Sequence, residues 1–579
     1  MKIFENRQRL LLLLLLLISV VSLVLFLGSS LFNTKGEPRE AIVALSMLKS
    51  GDWVSPVNNG VDIAYKPPFF HWCIALCSLA AGRVTEFTSR FPSAFFTILM
   101  VLSAYIFMLK NRVDCKLAFL ASVVTITTFE VHRAAMACRV DMVLSALTVM
   151  SILAFQRWYV TKCRWLVPVI VLLLSGAFLT KGPVGALLPC MVIGVYMLLK
   201  GENFFKALGI SMMYVLLSCI LPFLWYYSAY MERGKSFLYL VYEENVLRFM
   251  GKMVYSSHEE PAIYNVATLL LGFLPYTLLV VMSFFVLNIK KVSNIKGFGL
   301  TGIWNKIKGM TDMDLICFLS SVLIFIFYCI PKSKRSVYLL PVYPFLAYFL
   351  AKYIMWLCCN HKRILILYGY ILSFIALLLP ALFFMIKIGS VPHNVFRGKH
   401  AAENISYLVS LETTSMGVSV LFAIGVVLFG VCLFIRWSRR DCGWHCILSL
   451  VGIVFSINIM LDGVVLPRVF EVKSDFHMAN EISRIVPEDN IIWDYRGSWY
   501  PGERNRIHQF SLNFYLEDRV VPLDLNRPKS GYMIMGDEDE TVFMKRYAEY
   551  RLFKIKRFSH RSCDDKRNLT LYKFVANQK

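Results

Sequence analysis

The feature that most constrains this chain is a series of apolar runs recurring from Leu10 to about Leu461. Runs of about 20 apolar residues are long enough to cross a bilayer as helices. Of the 579 residues, 57% are hydrophobic and only 17% are charged, with a mean hydropathy of +0.58. A soluble chain could not bury that much apolar surface, and a disordered one would not carry it. The sequence therefore predicts a polytopic α-helical membrane protein. The net charge is +23. In a soluble protein that excess would suggest nucleic acid, but in a membrane protein basic residues collect in cytoplasmic loops, and no nucleic-acid partner is expected. The 15 cysteines lie mainly in apolar segments, and Cys563 alone follows Leu461, so no disulfide framework is expected.

Charge sets the topology. Lys2, Arg7 and Arg9 precede a first run too long for a signal peptide and lacking a small-residue cleavage site, so it reads as an uncleaved span with its N-terminus inside. Roughly fourteen apolar segments follow hydropathy. Phe69–Ala81 is short, contains His71 and is bounded by Lys66-Pro67-Pro68 and Gly82-Arg83, which suits a helix on the membrane surface. With that segment excluded, thirteen spans are expected: 10–31, 91–110, 115–130, 140–159, 165–180, 183–199, 207–230, 263–288, 313–330, 336–357, 364–387, 413–435 and 444–462. The basic clusters at Lys110/Arg112/Lys116, Arg157/Lys162/Arg164, Lys200/Lys206, Lys290/Lys291/Lys296/Lys306/Lys308, Lys362/Arg363 and Arg436/Arg439/Arg440 then all face inward. Fourteen spans would turn every cluster outward. Two domains are expected: residues 1–462 in the membrane, with a long outer loop at 32–90, and an outer α/β domain at 463–579. The tail carries strand-like runs at Asn490–Tyr495, Arg519–Leu523, Tyr532–Met535 and Leu569–Val575, and helix-like runs at Asp475–Ile485 and Thr541–Tyr550.

Ionisable residues at a membrane face mark function. On this topology Glu37, Arg39, Glu40, Lys66, Asp141, Lys181 and the Lys332–Arg335 run gather on the outer side. Lys181 and Lys332–Arg335 are basic groups in short outer loops, against the charge rule. Snorkelling to lipid headgroups would explain them; so would an anionic ligand such as a lipid phosphate. Glu37 and Asp141 stand where helix starts would welcome an acid, yet an acid beside basic groups is also what group transfer from a phosphate requires. His258 with Glu259 and Glu260 lacks zinc spacing, so no metal site is assigned. No Walker-type glycine loop is present, which argues against an ATP-driven pump.

The motifs in order resemble a known family. They are Glu37-Pro38-Arg39-Glu40, Leu48-Lys49-Ser50-Gly51-Asp52-Trp53, Lys66-Pro67-Pro68, Arg139-Val140-Asp141, Thr180-Lys181-Gly182-Pro183, Glu244-Asn245-Val246-Leu247-Arg248-Phe249, His258-Glu259-Glu260-Pro261, Gly272-Phe273-Leu274-Pro275, Lys332-Ser333-Lys334 and Tyr338-Leu339-Leu340-Pro341. This set is similar to the membrane glycosyltransferases of the aminoarabinose transferase type, which belong with the protein O-mannosyltransferases to the GT-C class. The resemblance implies about thirteen transmembrane helices, surface helices in the first loop, and a C-terminal domain in the periplasm of a bacterial inner membrane. It implies an inverting enzyme that moves a sugar from a polyprenyl (undecaprenyl) phosphate donor to lipid A or another envelope glycolipid. Glu37 and Asp141 would be the catalytic acids. Lys66, Arg248 and Tyr338 would hold the donor phosphate, with Lys181, Lys332 and Lys334 nearby and Arg39 and His258 at the site's edge. No cofactor is assigned, and the need for a divalent metal stays open. Gly36 and Tyr65 stand where the family often has acids. A protein hydroxyl as acceptor, or transport of a lipid-linked sugar, are the alternatives.

Overall fold

The computed structural model describes residues 2–252, 259–286, 306–398, 400–440, 443–497, 509–564 and 566–576. Helix α1 (Lys2–Leu23) leads into the first loop, which holds α2 (Pro38–Ser50), a short hairpin of β1 (Val57–Asn58) and β2 (Asp62–Ile63), and α3 (Phe69–Ala81). Next come α4 (Glu86–Lys110), α5 (Cys115–Thr127), α6 (Phe129–Ala135), α7 (Val140–Thr161), α8 (Leu166–Lys181), α9 (Val184–Leu199), α10 (Phe204–Ser218), α11 (Ile220–Arg233) and α12 (Lys235–Tyr242). Side chains written into the sequence fix several starts. Thr85 and Thr88 cap α4 reciprocally, each hydroxyl accepting from the other's backbone N–H, at 3.2 and 2.9 Å. The Asp114 carboxylate accepts from the Lys116 and Leu117 N–H groups at the start of α5. Every residue of α7 from Met142 to Gln156 is buried, so this helix, apolar all round, lies at the centre of the bundle.

Among the described residues, eight helices are long and apolar enough to cross a membrane, and three bent pairs raise that to eleven. The pairs are α5 with α6 (bent by 67°), α10 with α11 (42°), and Ala262–Gly272 with Tyr276–Phe285 (98°). The expected spans 115–130, 207–230 and 263–288 are thus broken helices rather than straight ones. Helices α8 and α9 have 16 residues each, and α3 has 13. The α8–α9 break is made by Gly182. Its φ is +82°, and a Cβ there would sit 2.7 Å from the Asn245 Oδ1.

The tail folds on a five-stranded sheet of order β4-β3-β5-β7-β6, with β3 (Ile492–Tyr495), β4 (Val520–Pro522), β5 (Ser530–Gly536), β6 (Tyr550–Arg561) and β7 (Asn568–Ala576). Strand β3 pairs parallel with β4 and β5; the β5–β7 and β6–β7 pairs are antiparallel. One face packs Ile492, Ile534 and Leu571 on Met478 and Ile482; the other packs Tyr495 and Phe574 around Phe543 and Tyr547. The helix expected over Thr541–Tyr550 is Glu540–Arg546, and Tyr550 instead opens β6, a strand the sequence reading misses. The tail grips the first loop. Asp518 accepts from the Ser46 hydroxyl at 2.6 Å and the Asn59 N–H at 2.9 Å. The Tyr515 hydroxyl accepts from the Phe32 N–H at 2.9 Å and donates to Glu86 at 2.7 Å.

Candidate active site

The site is assembled from the first loop, the α6–α7 turn, the α8–α9 break, the turn after α12 and the segment before Tyr338. Its hub is Glu40, a buried carboxylate on the first turn of α2. Its Oε1 accepts from the Arg39 guanidinium at 3.0 Å and forms a close ion pair with the Lys66 ammonium; its Oε2 lies 3.0 Å from the His71 Nε2. Burial alone would raise the Glu40 carboxyl, but Lys66, Arg39 and His71 reverse that and hold it well below the usual carboxylate range. Lys66 responds in kind. Burial and the Arg39 charge push it down to about 8, against the pull of Glu40.

Glu37 does something different. Its two oxygens grip Arg90 at 2.8 and 3.2 Å, and its Oε2 also accepts from the Cys138 N–H at 2.8 Å. Arg90 is 2% exposed, and its remaining arm donates to the Leu27 and Ser30 carbonyls. Burial would raise Glu37, but Arg90 and the Cys138 N–H bring it below its ordinary value. Both oxygens are thus committed, and the contact to Cys138 ties the first loop to the turn that carries Arg139 and Asp141.

Asp141 forms a close ion pair with Lys181. The Lys181 ammonium lies 4.1 Å from the centroid of the Tyr338 ring, which packs on Tyr328. So Lys181 finds its counter-charge within the protein. Lys66 and Arg139 are within electrostatic reach of Asp141. Arg248 pairs closely with Glu244, one turn earlier, and Glu244 acts in turn on Lys66 and Arg39. Of the predicted residues, Lys66, Arg39, Asp141, Lys181, Tyr338 and Arg248 therefore converge. Lys332 is exposed, its stem against Gly251. Lys334 is buried and donates to the Pro331 carbonyl at 2.7 Å; it lines a separate cavity with Arg133, Arg139 and Arg335. His258, Lys290, Lys291 and Lys296 lie outside the described residues. Sequence reasoning missed the site roles of Glu40, His71, Arg90 and Glu244. The signal for Glu40 was present, as an acid beside Arg39 in the same motif.

The arrangement suits the handling of an anion. Several cations converge from separate segments, most of them pre-paired with carboxylates that fix their positions, and Asp141 is an acid set among them. Residues 65–226, which include Lys66, Asp141 and Lys181, match a family model described as dolichyl-phosphate-mannose-protein mannosyltransferase. An uncharacterized protein of Aquifex aeolicus (strain VF5) is 30% identical over 371 residues, covering 62% of this chain and 77% of its own. An undecaprenyl phosphate-alpha-4-amino-4-deoxy-L-arabinose arabinosyl transferase of Proteus mirabilis (strain HI4320) is 27% identical over 337 residues. The match covers 56% of this chain, and the chain spans 56% of that relative's length. The fold matches the crystal structure of ArnT from Cupriavidus metallidurans bound to undecaprenyl phosphate, with a TM-score of 0.68 at 17% identity over 97% of both chains. With the ordered motifs, the shared fold and these relatives in hand, the chain belongs to the GT-C glycosyltransferases of the aminoarabinose transferase and protein mannosyltransferase type.

Proposed function

We propose that the protein is a glycosyltransferase that moves a sugar from a polyprenyl-phosphate donor to a lipid acceptor of the bacterial envelope, lipid A or a related glycolipid. The observation that carries this is the convergence of Lys66, Lys181 and Tyr338 around Asp141, with Arg248 joined to Lys66 through Glu244, inside a fold shared with a protein crystallised with undecaprenyl phosphate. Lys66 and Arg248 hold the donor phosphate, and the Tyr338 ring positions Lys181. The acceptor attacks the anomeric carbon opposite the departing polyprenyl phosphate, so the configuration inverts and no covalent enzyme intermediate forms. The cations stabilise the charge that grows on the leaving phosphate. Asp141 orients the acceptor. Glu37, with both oxygens engaged, serves as a positioning residue that holds the Arg139–Asp141 segment through the Cys138 N–H.

In this reading residues 1–462 form the transmembrane unit and residues 463–579 the periplasmic α/β domain. The helices at the thirteen expected places, with the bent pairs counted once each, support thirteen spans, and the basic loops support an N-terminus in the cytoplasm. The deciding experiment supplies the protein, reconstituted in liposomes, with a polyprenyl-phosphate-linked aminoarabinose and with lipid A or an acceptor peptide, and follows the products by mass spectrometry. Sugar on lipid A supports the proposal. Sugar on the peptide alone replaces the lipid acceptor with a protein one. Transfer to neither, with donor hydrolysis also absent, rejects it.

A further inference from the structure

The tail carries a group of ionisable side chains that the donor site does not use. Asp475 stands at the N-cap of the helix Phe476–Ile485, where a carboxylate ordinarily accepts from the first-turn N–H groups; here it makes no such bond. It is fully buried and turned instead toward the turn between β6 and β7. Its Oδ1 accepts from the Cys563 N–H at 3.0 Å, and its Oδ2 lies 3.5 Å from the Ser562 hydroxyl. Asp564, 8% exposed, comes from the same turn, and its Oδ2 accepts from the Ser511 N–H at 2.9 Å. Among the described residues, one ligand atom from each of Asp475, Cys563 and Asp564 lies within 4.8 Å of the other two. The turn is held in shape by the Ser562 N–H, which donates to the Arg567 carbonyl at 2.9 Å.

Two further polar atoms border the group. The Ser511 hydroxyl is fully buried, makes no hydrogen bond among the described residues, and faces the Cys563 thiol. The His560 Nε2 is also buried without a hydrogen-bond partner and stands 3.9 Å from the Asp475 Oδ1. A buried polar atom left without a partner costs about 1–3 kcal/mol. Two such atoms beside a thiol and two buried carboxylates make a costly arrangement for the protein alone, and a bound cation satisfies all of them at once.

We propose that Asp475, His560, Cys563 and Asp564 form a structural site for a divalent transition metal, with zinc as the best match. A set of carboxylate, imidazole and thiolate suits zinc, whereas calcium and magnesium take oxygen ligands. Two residues separate His560 from Cys563, the interval that also separates the paired ligands of many zinc sites. Tetrahedral bonds of about 2.0–2.3 Å put ligand atoms roughly 3.3–3.7 Å apart. Asp475, Cys563 and Asp564 reach that spacing by shifts of about 1 Å, and His560 joins by turning its ring. As the sulfur–metal bond forms, the thiol proton leaves to solvent and no electron is transferred. The Ser511 hydroxyl then donates to the thiolate. The N-terminus of the helix Phe476–Ile485 favours the negative charge that remains. The metal pins the turn between β6 and β7 to the start of the tail, 88 residues earlier.

The test uses the full-length protein in nanodiscs, stripped by a chelator and titrated with zinc alone or cobalt(II) alone. The wild type is expected to bind one zinc, and its cobalt form to show sulfur-to-cobalt charge-transfer absorption. Ser511→Ala should lower zinc affinity about 10–100-fold, the cost of removing a group that holds a ligand in place. Cys563→Ser and His560→Ala should lower it at least as far, and Cys563→Ser should also abolish the sulfur absorption. Zinc should raise the unfolding temperature of the wild type and leave that of Cys563→Ser unchanged. If Cys563→Ser does not fold, Ser511→Ala decides the matter, because it removes one buried oxygen and no ligand. Absence of zinc binding by the wild type overturns the proposal, as does a cobalt form without sulfur absorption. So does zinc that Cys563→Ser and Ser511→Ala retain and His258→Ala loses, since the metal then sits at His258-Glu259-Glu260. Every readout is independent of sugar transfer, so failure here leaves the donor reading standing.

Discussion

Lys66 is the residue whose behaviour with pH tests the active-site reading most sharply. In the free protein it sits near 8, because burial and Arg39 disfavour its charge more than Glu40 favours it. A lysine is a cation below its pKa, so its attraction for the donor phosphate is present at neutral pH and is lost as pH rises through about 8. The charged fraction is about 0.9 at pH 7 and about 0.1 at pH 9. If the bound phosphate holds the lysine protonated, affinity follows that fraction, and the Kd rises about tenfold between the two pH values, equivalent to about 1.4 kcal/mol. The donor itself does not titrate there, because a polyprenyl-phosphate sugar is a phosphodiester. Glu40 lies far below this window, and burial moves the Tyr65 phenol above it. The perturbation is Lys66→Arg, which keeps the charge and abolishes the titration. The assay is equilibrium binding of a polyprenyl-phosphate sugar in nanodiscs at pH 7, 8 and 9. The wild type should weaken with a midpoint near 8, while Lys66→Arg should stay flat. Equal affinity at pH 7 and 9 in the wild type, or the same decline in Lys66→Arg, would refute the assignment of Lys66 to the phosphate.

Further outcomes follow from the same contacts. Glu37→Gln breaks the buried pair with Arg90 and should cost about 3–5 kcal/mol of stability, read as a lower unfolding temperature in nanodiscs. Any loss of turnover in that variant should vary little with pH, since positioning rather than proton transfer is removed. Asp141→Asn releases Lys181 and should lower turnover about a hundredfold, the effect of about 1 Å of misplacement, while donor affinity stays near wild type; equal turnover would remove Asp141 from the mechanism. Gly182→Ala meets both a left-handed backbone and the Asn245 amide, and should destabilise by about 1–3 kcal/mol, visible in thermal unfolding. Reporter fusions after Lys308 and after Lys579 should report opposite sides of the membrane; the same side for both would reject thirteen spans.

Much of the membrane unit was legible because apolar length and basic loops each carry a direct physical meaning. The broken helices were not. The break at Phe273–Pro275 interrupts a stretch that remains apolar throughout, so hydropathy cannot see it. In the site, Lys66, Asp141 and Lys181 stood out as charges in apolar surroundings. Their partners did not, because Glu40 meets His71 across 31 residues and Glu37 meets Arg90 across 53, distances that only helix packing closes. Glu37 therefore looked like a free acid. Lys181 looked uncompensated for the same reason, Asp141 being 40 residues earlier. Strand β6 escaped notice because most of its residues are exposed on both faces, so basic residues such as Lys554, Lys556 and Arg557 give it no alternation to read.

The grip of the tail on the first loop has a consequence for how the protein is made. Ser46 and Asn59, in the stretch that also carries Glu40 and Lys66, find their partner Asp518 more than 450 residues later. A ribosome that has delivered every apolar helix has therefore not yet delivered the clasp. The loop that bears the charges is completed last although it is synthesised among the first, and a nascent chain stopped before Asp518 holds its helices without the brace on its chemistry. The sheet domain thus braces a loop that lies more than 450 residues before it in the chain.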